Sequence, residues 1–224
     1  RATILLDASA SMKYTGDLAA KTGGQSLSKF RYARYVAAAL TYLLINQQDA
    51  VGLVTYDSEI REYLPPRASA RHLRVILQSL NDLEPGKDTS LAPIFHEIAA
   101  RIPRRGLVIV ISDLFDDPEE LIKALHHFRF ANHEVVLMHV MAEEELSFPF
   151  SKFSEFRDLE ATYPIAELDP QSIKAAYLEQ VNAFIQRIEL ACGQMMVDYV
   201  PMNTKVPFEV ALSGFLASRQ GKVR

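Results

Sequence analysis

Two hydrophobic patterns alternate along this chain. Short runs of apolar, often β-branched residues predict strands, and stretches in which apolar residues recur every three or four positions predict helices. The predicted strands are 3–6, 51–56, 60–64, 107–111, 134–140 and 196–200. The predicted helices are about 30–44, 73–80, 91–98, 118–128, 173–188 and 208–217. Regular alternation of strand and helix predicts an α/β protein.

The predicted architecture is a doubly wound, mostly parallel sheet with helices on both faces. The run from Leu107 to Ile111 is apolar throughout, so it is expected at the centre of the sheet. Asp57 and Ser58 separate strands 51–56 and 60–64, a spacing that predicts a tight hairpin and therefore one antiparallel edge strand. Pro65 and Pro66 are expected to end that edge strand.

The whole chain, 1–224, is predicted to form one domain. Residues 142–169 lose regular periodicity and carry short aromatic patches, so we expect a hairpin-bearing insertion there. The chain opens at Arg1, without an initiator Met, and runs at once into an apolar strand, so we expect it to be part of a longer polypeptide.

Composition narrows the range of functions. With 49% hydrophobic and 23% charged residues the chain is typical of globular proteins. Its net charge of −4 and its lack of a basic run argue against nucleic-acid binding. No apolar run approaches the roughly 20 residues that span a bilayer, so no membrane span is expected. The single cysteine, Cys192, cannot form an internal disulfide, which favours a reducing, cytoplasmic compartment.

Oxygen-bearing side chains follow the predicted strands where their carboxyl ends should meet. Asp7, Ser9 and Ser11 come directly after the first strand and occupy every second position, Thr89 precedes the third helix, and Asp113 follows the central strand. One carboxylate with several hydroxyls makes a hard, all-oxygen ligand set, which suits Mg²⁺, with Mn²⁺ or Ca²⁺ as substitutes. The sequence therefore predicts a metal site at this edge.

The same residues also have a purely structural interpretation. Asp and Ser are common in turns and helix caps at strand ends, and for Asp7-x-Ser-x-Ser alone that interpretation is about as probable as a metal site. Asp113 fits it less well, because Asp116 and Asp117 already supply the cap of the following helix. The polar loop from Lys13 to Ser28 lies beside the predicted site, and its sequence suits either a determinant of specificity or a merely mobile loop.

Several motifs resemble one known fold family. Asp7-Ala-Ser-Ala-Ser11, the loop Thr89-Ser90-Leu91 and the strand end Ser112-Asp113-Leu114 resemble the metal-ion-dependent adhesion site of von Willebrand factor A-like domains. The closer resemblance is to a bacterial branch, domain-of-unknown-function family fifty-eight. It is carried by the segments 29–34, 49–53, 63–66 and 111–121 and extends over nearly the whole chain.

This resemblance implies a function as well as a fold. Ser9, Ser11 and Thr89 would ligate Mg²⁺ directly, and Asp7 and Asp113 would act directly or through water. The metal would then bind an Asp or Glu carboxylate of a protein partner. Members of the branch are often encoded beside MoxR-type AAA+ ATPases, which implies such an ATPase as a partner in protein assembly or maturation. Lys87 and Asp88 before Thr89 depart from the usual glycine-rich pattern, so metal affinity or geometry is expected to differ.

An enzymatic function is the alternative. Asp7 at a strand end beside Mg²⁺ could serve as the nucleophile of a phosphatase or phosphotransfer domain. Such sites generally carry further acids, and the haloacid-type pattern needs a second Asp where Ser9 stands. We therefore expect a non-catalytic binding module.

Overall fold

The computed structural model describes residues 1–16, 27–86, 91–102, 104–150, 154–156 and 166–222. Its main sheet has six strands: β1 (Ala2–Asp7), β2 (Val51–Tyr56), β3 (Ile60–Arg67), β4 (Leu107–Ser112), β5 (Glu134–Met141) and β8 (Asp198–Asn203). Their order is β3-β2-β1-β4-β5-β8. Only β3 pairs antiparallel within this sheet. The predicted fold class is thereby confirmed.

Seven α-helices are described, and six of them pack on the two faces of the sheet. They are α1 (Lys29–Asn46), α2 (Ala70–Asp82), α3 (Leu91–Arg101), α4 (Pro118–Phe130), α5 (Glu143–Ser147), α6 (Pro170–Met195) and α7 (Phe208–Lys222). Helices α1, α2 and α7 cover one face, and α3, α4 and α6 cover the other. Side chains of β1, β4 and β5 alternate between the two resulting cores, which explains their continuous apolar runs.

Helix starts follow local chemistry. Ser28, Ser69, Asp117 and Asp169 cap α1, α2, α4 and α6, and each side chain accepts a hydrogen bond from a backbone N–H of the first turn. Both α4 and α6 have a proline in the first turn. Backbone N–H groups of the first turn have no acceptor within the helix, so the absence of this group in proline costs no helical hydrogen bond.

The edge strand β3 corrects one expectation. It does not end at the prolines but continues through Pro65 and Pro66 to Arg67. A register shift opposite these prolines marks a β-bulge, which accommodates residues that cannot donate to the ladder. Gly52 permits the close approach, since an added Cβ there would lie 2.9 Å from the Pro66 ring. The sixth predicted strand is also shifted: it begins at Asp198, because Met196 ends α6 in a left-handed conformation.

Two further strands lie within the predicted insertion. β6 (Ser154–Phe156) and β7 (Ala166–Leu168) pair antiparallel in a separate two-stranded sheet. Helix α5 lies at the start of the same segment and contacts α6. Neither this pairing nor any comparison tests the single-domain interpretation of 1–224, which stays a prediction.

The order of the strands identifies where a ligand would bind. After β1 the chain continues to β2 and β3 on one side, and it then returns to place β4 on the other side of β1. The carboxyl ends of β1 and β4 therefore flank a topological switch point, the usual position of binding sites in such sheets. Asp7 ends β1, and Asp113 directly follows β4. Among the described helices, none is both long and apolar enough to cross a membrane.

Candidate cation site at the switch point

The loop after β1 is built around the carboxylate of Asp7. One Asp7 oxygen accepts a 2.8 Å hydrogen bond from the backbone N–H of Ser9, and the other accepts a 2.5 Å bond from the hydroxyl of Ser112 at the end of β4. The Ser9 and Ser11 hydroxyl oxygens lie 3.1 Å apart. Asp7, Ser9 and Ser11 are all buried. The structure thus brings the three predicted ligands of this loop together.

Asp7 is a buried carboxylate whose described hydrogen bonds all come from uncharged donors. Burial and, after it, the negative charge of Asp113 raise its pKa to about 7, against the opposing effect of the hydrogen bonds from Ser112 and Ser9. Within the described part of the chain no cationic side chain forms an ion pair with Asp7. Among the described residues, its negative charge is therefore not compensated by a cationic partner.

Asp113 stands on a turn that is tightly fixed. Leu114 adopts a left-handed backbone with φ of 57°, and its N–H donates to the Ser112 hydroxyl at 2.9 Å. The N–H of Phe115 donates to Asp113 Oδ1 at 3.3 Å. Leu114 is fully buried, which holds this otherwise unfavourable conformation in place.

The second oxygen of Asp113 contacts a buried lysine. Lys29 Nζ lies 2.7 Å from Asp113 Oδ2 and 2.7 Å from Glu145 Oε1. Burial on its own would lower the pKa of the Lys29 ammonium, but Asp113 and Glu145 outweigh that effect and hold the pKa above its ordinary value. Sequence analysis missed both Lys29 and Glu145, which lie 116 positions apart.

A buried histidine supports Asp113 from the neighbouring strand. His139 Nε2 lies 3.1 Å from the Asp113 carbonyl oxygen, and Nδ1 lies 2.7 Å from the Tyr199 hydroxyl. A carbonyl can only accept, so Nε2 carries the proton and Nδ1 accepts from Tyr199. Burial lowers the pKa of His139 to about 4, which keeps this imidazole neutral. Sequence reasoning gave His139 and Tyr199 no role.

Two sequence predictions fall wholly or partly outside the described residues. Thr89 lies in 87–90, and most of the polar loop before α1 lies in 17–26. The described ends of both segments lie near the site. Gly86 donates its N–H to the carbonyl of Ala8 at 2.6 Å, and Ala8 lies between Asp7 and Ser9 in the sequence. Thr15 forms an antiparallel bridge with Ser28, the residue before Lys29.

The chemistry of these groups fits a hard divalent cation. Asp7, Ser9 and Ser11 present side-chain oxygens, and no described cationic side chain pairs with the Asp7 carboxylate. No three His, Cys, Asp or Glu side chains of the described segments cluster in a way that could hold a metal ion. Besides Asp7 and Asp113, the described residues at this site offer a cation hydroxyl oxygens.

Comparison with known proteins places the chain in a family. The sequence model of the family described as "Protein of unknown function DUF58" matches residues 1–183. The chain belongs to the DUF58 family. This establishes the family branch indicated by the motifs. No curated protein matches this DUF58 chain in sequence.

Solved structures of similar fold show the same architecture. A conserved hypothetical protein BatB from Bacteroides thetaiotaomicron matches with a TM-score of 0.59 and 16% identity over 99% of this DUF58 chain and 98% of that one. The "SpRpn10 VWA domain" matches with a TM-score of 0.52 and 14% identity over 94% and 92% of the two chains. At these identities the matches establish the fold alone, which is that of a von Willebrand factor A-like domain.

Proposed function

We propose that this protein is a metal-dependent protein-interaction module whose cation site binds an acidic side chain of a partner. The observation that supports this most strongly is the buried Asp7 carboxylate, which lacks a described cationic partner and lies beside the hydroxyls of Ser9 and Ser11. Mg²⁺ is the proposed ion, with Mn²⁺ or Ca²⁺ as substitutes, and Asp113 contributes directly or through water.

The ligand chemistry suggests what such an ion would bind. Neutral hydroxyls and water leave a divalent ion more of its charge than several carboxylates would. A metal held in this way attracts an external carboxylate strongly, so the proposed ligand is an Asp or Glu side chain on another protein. A von Willebrand factor A-like fold supports a role in protein interaction.

A MoxR-type AAA+ ATPase is the proposed partner, in protein assembly or maturation in the cytoplasm. This part of the proposal depends on the family resemblance, since members of the DUF58 branch are often encoded beside such ATPases. Its test is a binding measurement between this chain and the MoxR-type ATPase of the same organism. The complex should form with Mg²⁺, be lost on chelation, and be lost with Asp7→Ala.

A binding role is favoured over phosphoryl chemistry at Asp7. Both Asp7 oxygens accept hydrogen bonds and the residue is 1% exposed, so neither oxygen is presented for in-line attack on a phosphorus atom. Lys29 pairs with Asp113 and Glu145 rather than with Asp7. Incubation with acetyl phosphate and Mg²⁺ should leave the chain unphosphorylated, and phosphorylation at Asp7 would support the enzyme alternative.

Calorimetry tests the proposed site directly. Mg²⁺ and Mn²⁺ are titrated into the wild type, Asp7→Ala and the control Asp82→Ala. Asp82 lies at the end of α2, and among the described residues its carboxylate accepts hydrogen bonds only from the side chains of Gln78 and Asn81. Saturable binding is expected in the wild type and the control and not in Asp7→Ala. Adding the blocked peptide Gly-Glu-Gly should tighten metal binding in the wild type. Absence of wild-type binding would overturn the proposal.

A further inference from the structure

We propose that Lys29 sets the strength of the cation site by competing with the divalent ion for Asp113. This inference deepens the proposed function and rests on it, since it assigns a role to a side chain at the same site. Lys29 lies at the first position of α1, and its ammonium reaches the carboxyl ends of the strands. It belongs to neither the Asp-x-Ser-x-Ser loop nor the Asp113 turn.

The contact with Asp113 is close and shielded from water. The Nζ to Oδ2 distance is 2.7 Å, and the two side chains are only 4% and 3% exposed. In such surroundings the electrostatic attraction between the two groups is weakly screened, so the Lys29 ammonium neutralises a substantial part of the negative charge of Asp113. The other Asp113 oxygen accepts the N–H of Phe115. Both oxygens of this proposed ligand are therefore already engaged.

This arrangement has opposite consequences for the metal and for its partner. A divalent ion must share Asp113 with the ammonium, which weakens metal binding. The bound ion is consequently less neutralised by the protein, and it attracts an external carboxylate more strongly. Lys29 thus favours capture of a partner's acidic side chain at the expense of metal affinity.

Glu145 moderates the competition. Its Oε2 accepts a 2.7 Å hydrogen bond from the N–H of Ala142, so its position at α5 is fixed while Oε1 attracts Lys29. Among the described residues, Asp113 and Glu145 are the two carboxylates that pair with Lys29. Without the charge of Glu145 the ammonium would pair with Asp113 alone, and metal binding would weaken further.

Two variants with opposite expected effects test this inference. Mg²⁺ affinity is measured by calorimetry in Lys29→Met, which keeps the length of the side chain without its charge, and in Glu145→Gln. Lys29→Met should bind Mg²⁺ roughly tenfold more tightly and Glu145→Gln roughly fivefold more weakly, as one charge in a partly buried site implies. At saturating Mg²⁺, Lys29→Met should bind the blocked Gly-Glu-Gly peptide at least about threefold more weakly.

An ion pair between another acidic residue of α5 and a lysine outside that helix provides the control. Glu143 of α5 pairs with Lys205 at 3.4 Å, away from Asp113. Glu143→Gln and Lys205→Met should each change Mg²⁺ affinity by less than about twofold, because these charges are more exposed and better screened. If the control variants changed Mg²⁺ affinity as much as Lys29→Met and Glu145→Gln do, the cause would be the overall electrostatic potential of the protein and not competition at Asp113. That result would overturn the inference.

The outcomes separate this inference from the proposed function. Wild-type binding that Lys29→Met does not strengthen overturns the role of Lys29 and leaves the function standing. Binding by Lys29→Met alone supports the competition while overturning the proposed function. Binding by neither overturns both. If thermal melts show that Lys29→Met does not fold, Glu145→Gln decides, since competition requires weaker binding and unchanged affinity contradicts it.

Discussion

The hydroxyl of Ser112 lies 2.5 Å from Asp7 Oδ2 and joins the carboxyl end of β4 to that of β1. The same hydroxyl accepts the N–H of Leu114, which fixes the turn that carries Asp113. One serine thus connects the two carboxylates of the candidate site. Geometry at Asp7 and at Asp113 is therefore expected to respond together to changes in either strand end.

Replacing Asp7 by Asn should abolish metal binding and yet stabilise the metal-free protein above pH 7. Burial and the charge of Asp113 raise the pKa of Asp7 to about 7, so the folded state binds this proton more tightly than the unfolded chain. The contribution of Asp7 to the stability of the wild type should therefore fall as pH rises from about 4 to 7. We expect Asp7→Asn to gain on the order of 2 kcal/mol at pH 8.

Chemical denaturation of the metal-free wild type and variant at pH 5 and pH 8 measures this effect. The gain should shrink at pH 5, where the wild-type carboxyl is largely protonated in the folded state. A variant that is less stable than the wild type at pH 8 would contradict the raised pKa.

The contribution of His139 to stability should depend on pH with the opposite sign to that of Asp7. Its pKa is lowered to about 4 by burial, so the unfolded chain binds this proton more tightly, and the contribution of His139 to stability should fall as pH drops from 6.5 towards 4. The expected loss is about 2 to 3 kcal/mol. His139→Gln, which can still donate to the Asp113 carbonyl, should lack this part of the decline. The free energy of unfolding is measured at several pH values in the wild type and in His139→Gln. If it declined equally with acid in both proteins, the role of His139 would be refuted.

Substitution of Gly86 should destabilise the protein and weaken metal binding. A Cβ atom there would overlap Asp57 Oδ2, so Gly86→Ala must displace either the backbone at Gly86 or the buried Asp57 side chain, which pairs with Arg61. We expect a loss of about 1 to 3 kcal/mol, typical of overpacking. Thermal unfolding and a Mg²⁺ titration measure the two effects.

Gly193→Ala is the matched control for that substitution. Gly193 lies within α6, and an added Cβ there meets no atom within 4 Å. Because Ala favours helix over Gly, this change should stabilise by about 0.5 to 1 kcal/mol. If both alanine variants moved stability in the same direction, the close approach at Gly86 would not be the cause.

Phe115 should contribute to partner binding without affecting the metal. Its side chain is 65% exposed and follows Asp113 by two positions on a fixed turn. Phe115→Ala should weaken binding of a blocked Gly-Glu-Leu-Gly peptide at saturating Mg²⁺ by about threefold, through lost apolar contact, with Mg²⁺ affinity unchanged. Phe130, 92% exposed at the far end of α4, offers the control Phe130→Ala, for which no change is expected. Equal losses in both would exclude a local contact.

The apolar patterns predicted the central strands well, because burial on both faces leaves little choice of residue. β4 spans Leu107–Ser112 where 107–111 was predicted, and β1 spans Ala2–Asp7 where 3–6 was predicted. The edge of the sheet was less predictable. Pro65 and Pro66 normally end strands, but an edge strand with a bulge tolerates them, and strand order is not visible in a local pattern.

The candidate site was predicted only where its residues are adjacent in sequence or end a strand. Asp7, Ser9 and Ser11 share one loop, and Asp113 follows the most apolar strand. Lys29 and Glu145 occupy a helix start and a short helix, where charged residues are normally solvated, so no local signal indicates their burial. Ser112 carried a weak signal, as a hydroxyl that ends a fully apolar strand.

Both outer strands of the main sheet contain proline. Pro65 and Pro66 lie in β3, and Pro201 lies in β8, the two ends of the strand order. Proline cannot donate a backbone hydrogen bond, so neither edge offers an uninterrupted ladder to an incoming strand. Sheet extension by another chain is thereby discouraged at both sides. We expect these edge prolines to lower the tendency of the folded protein to aggregate through strand pairing.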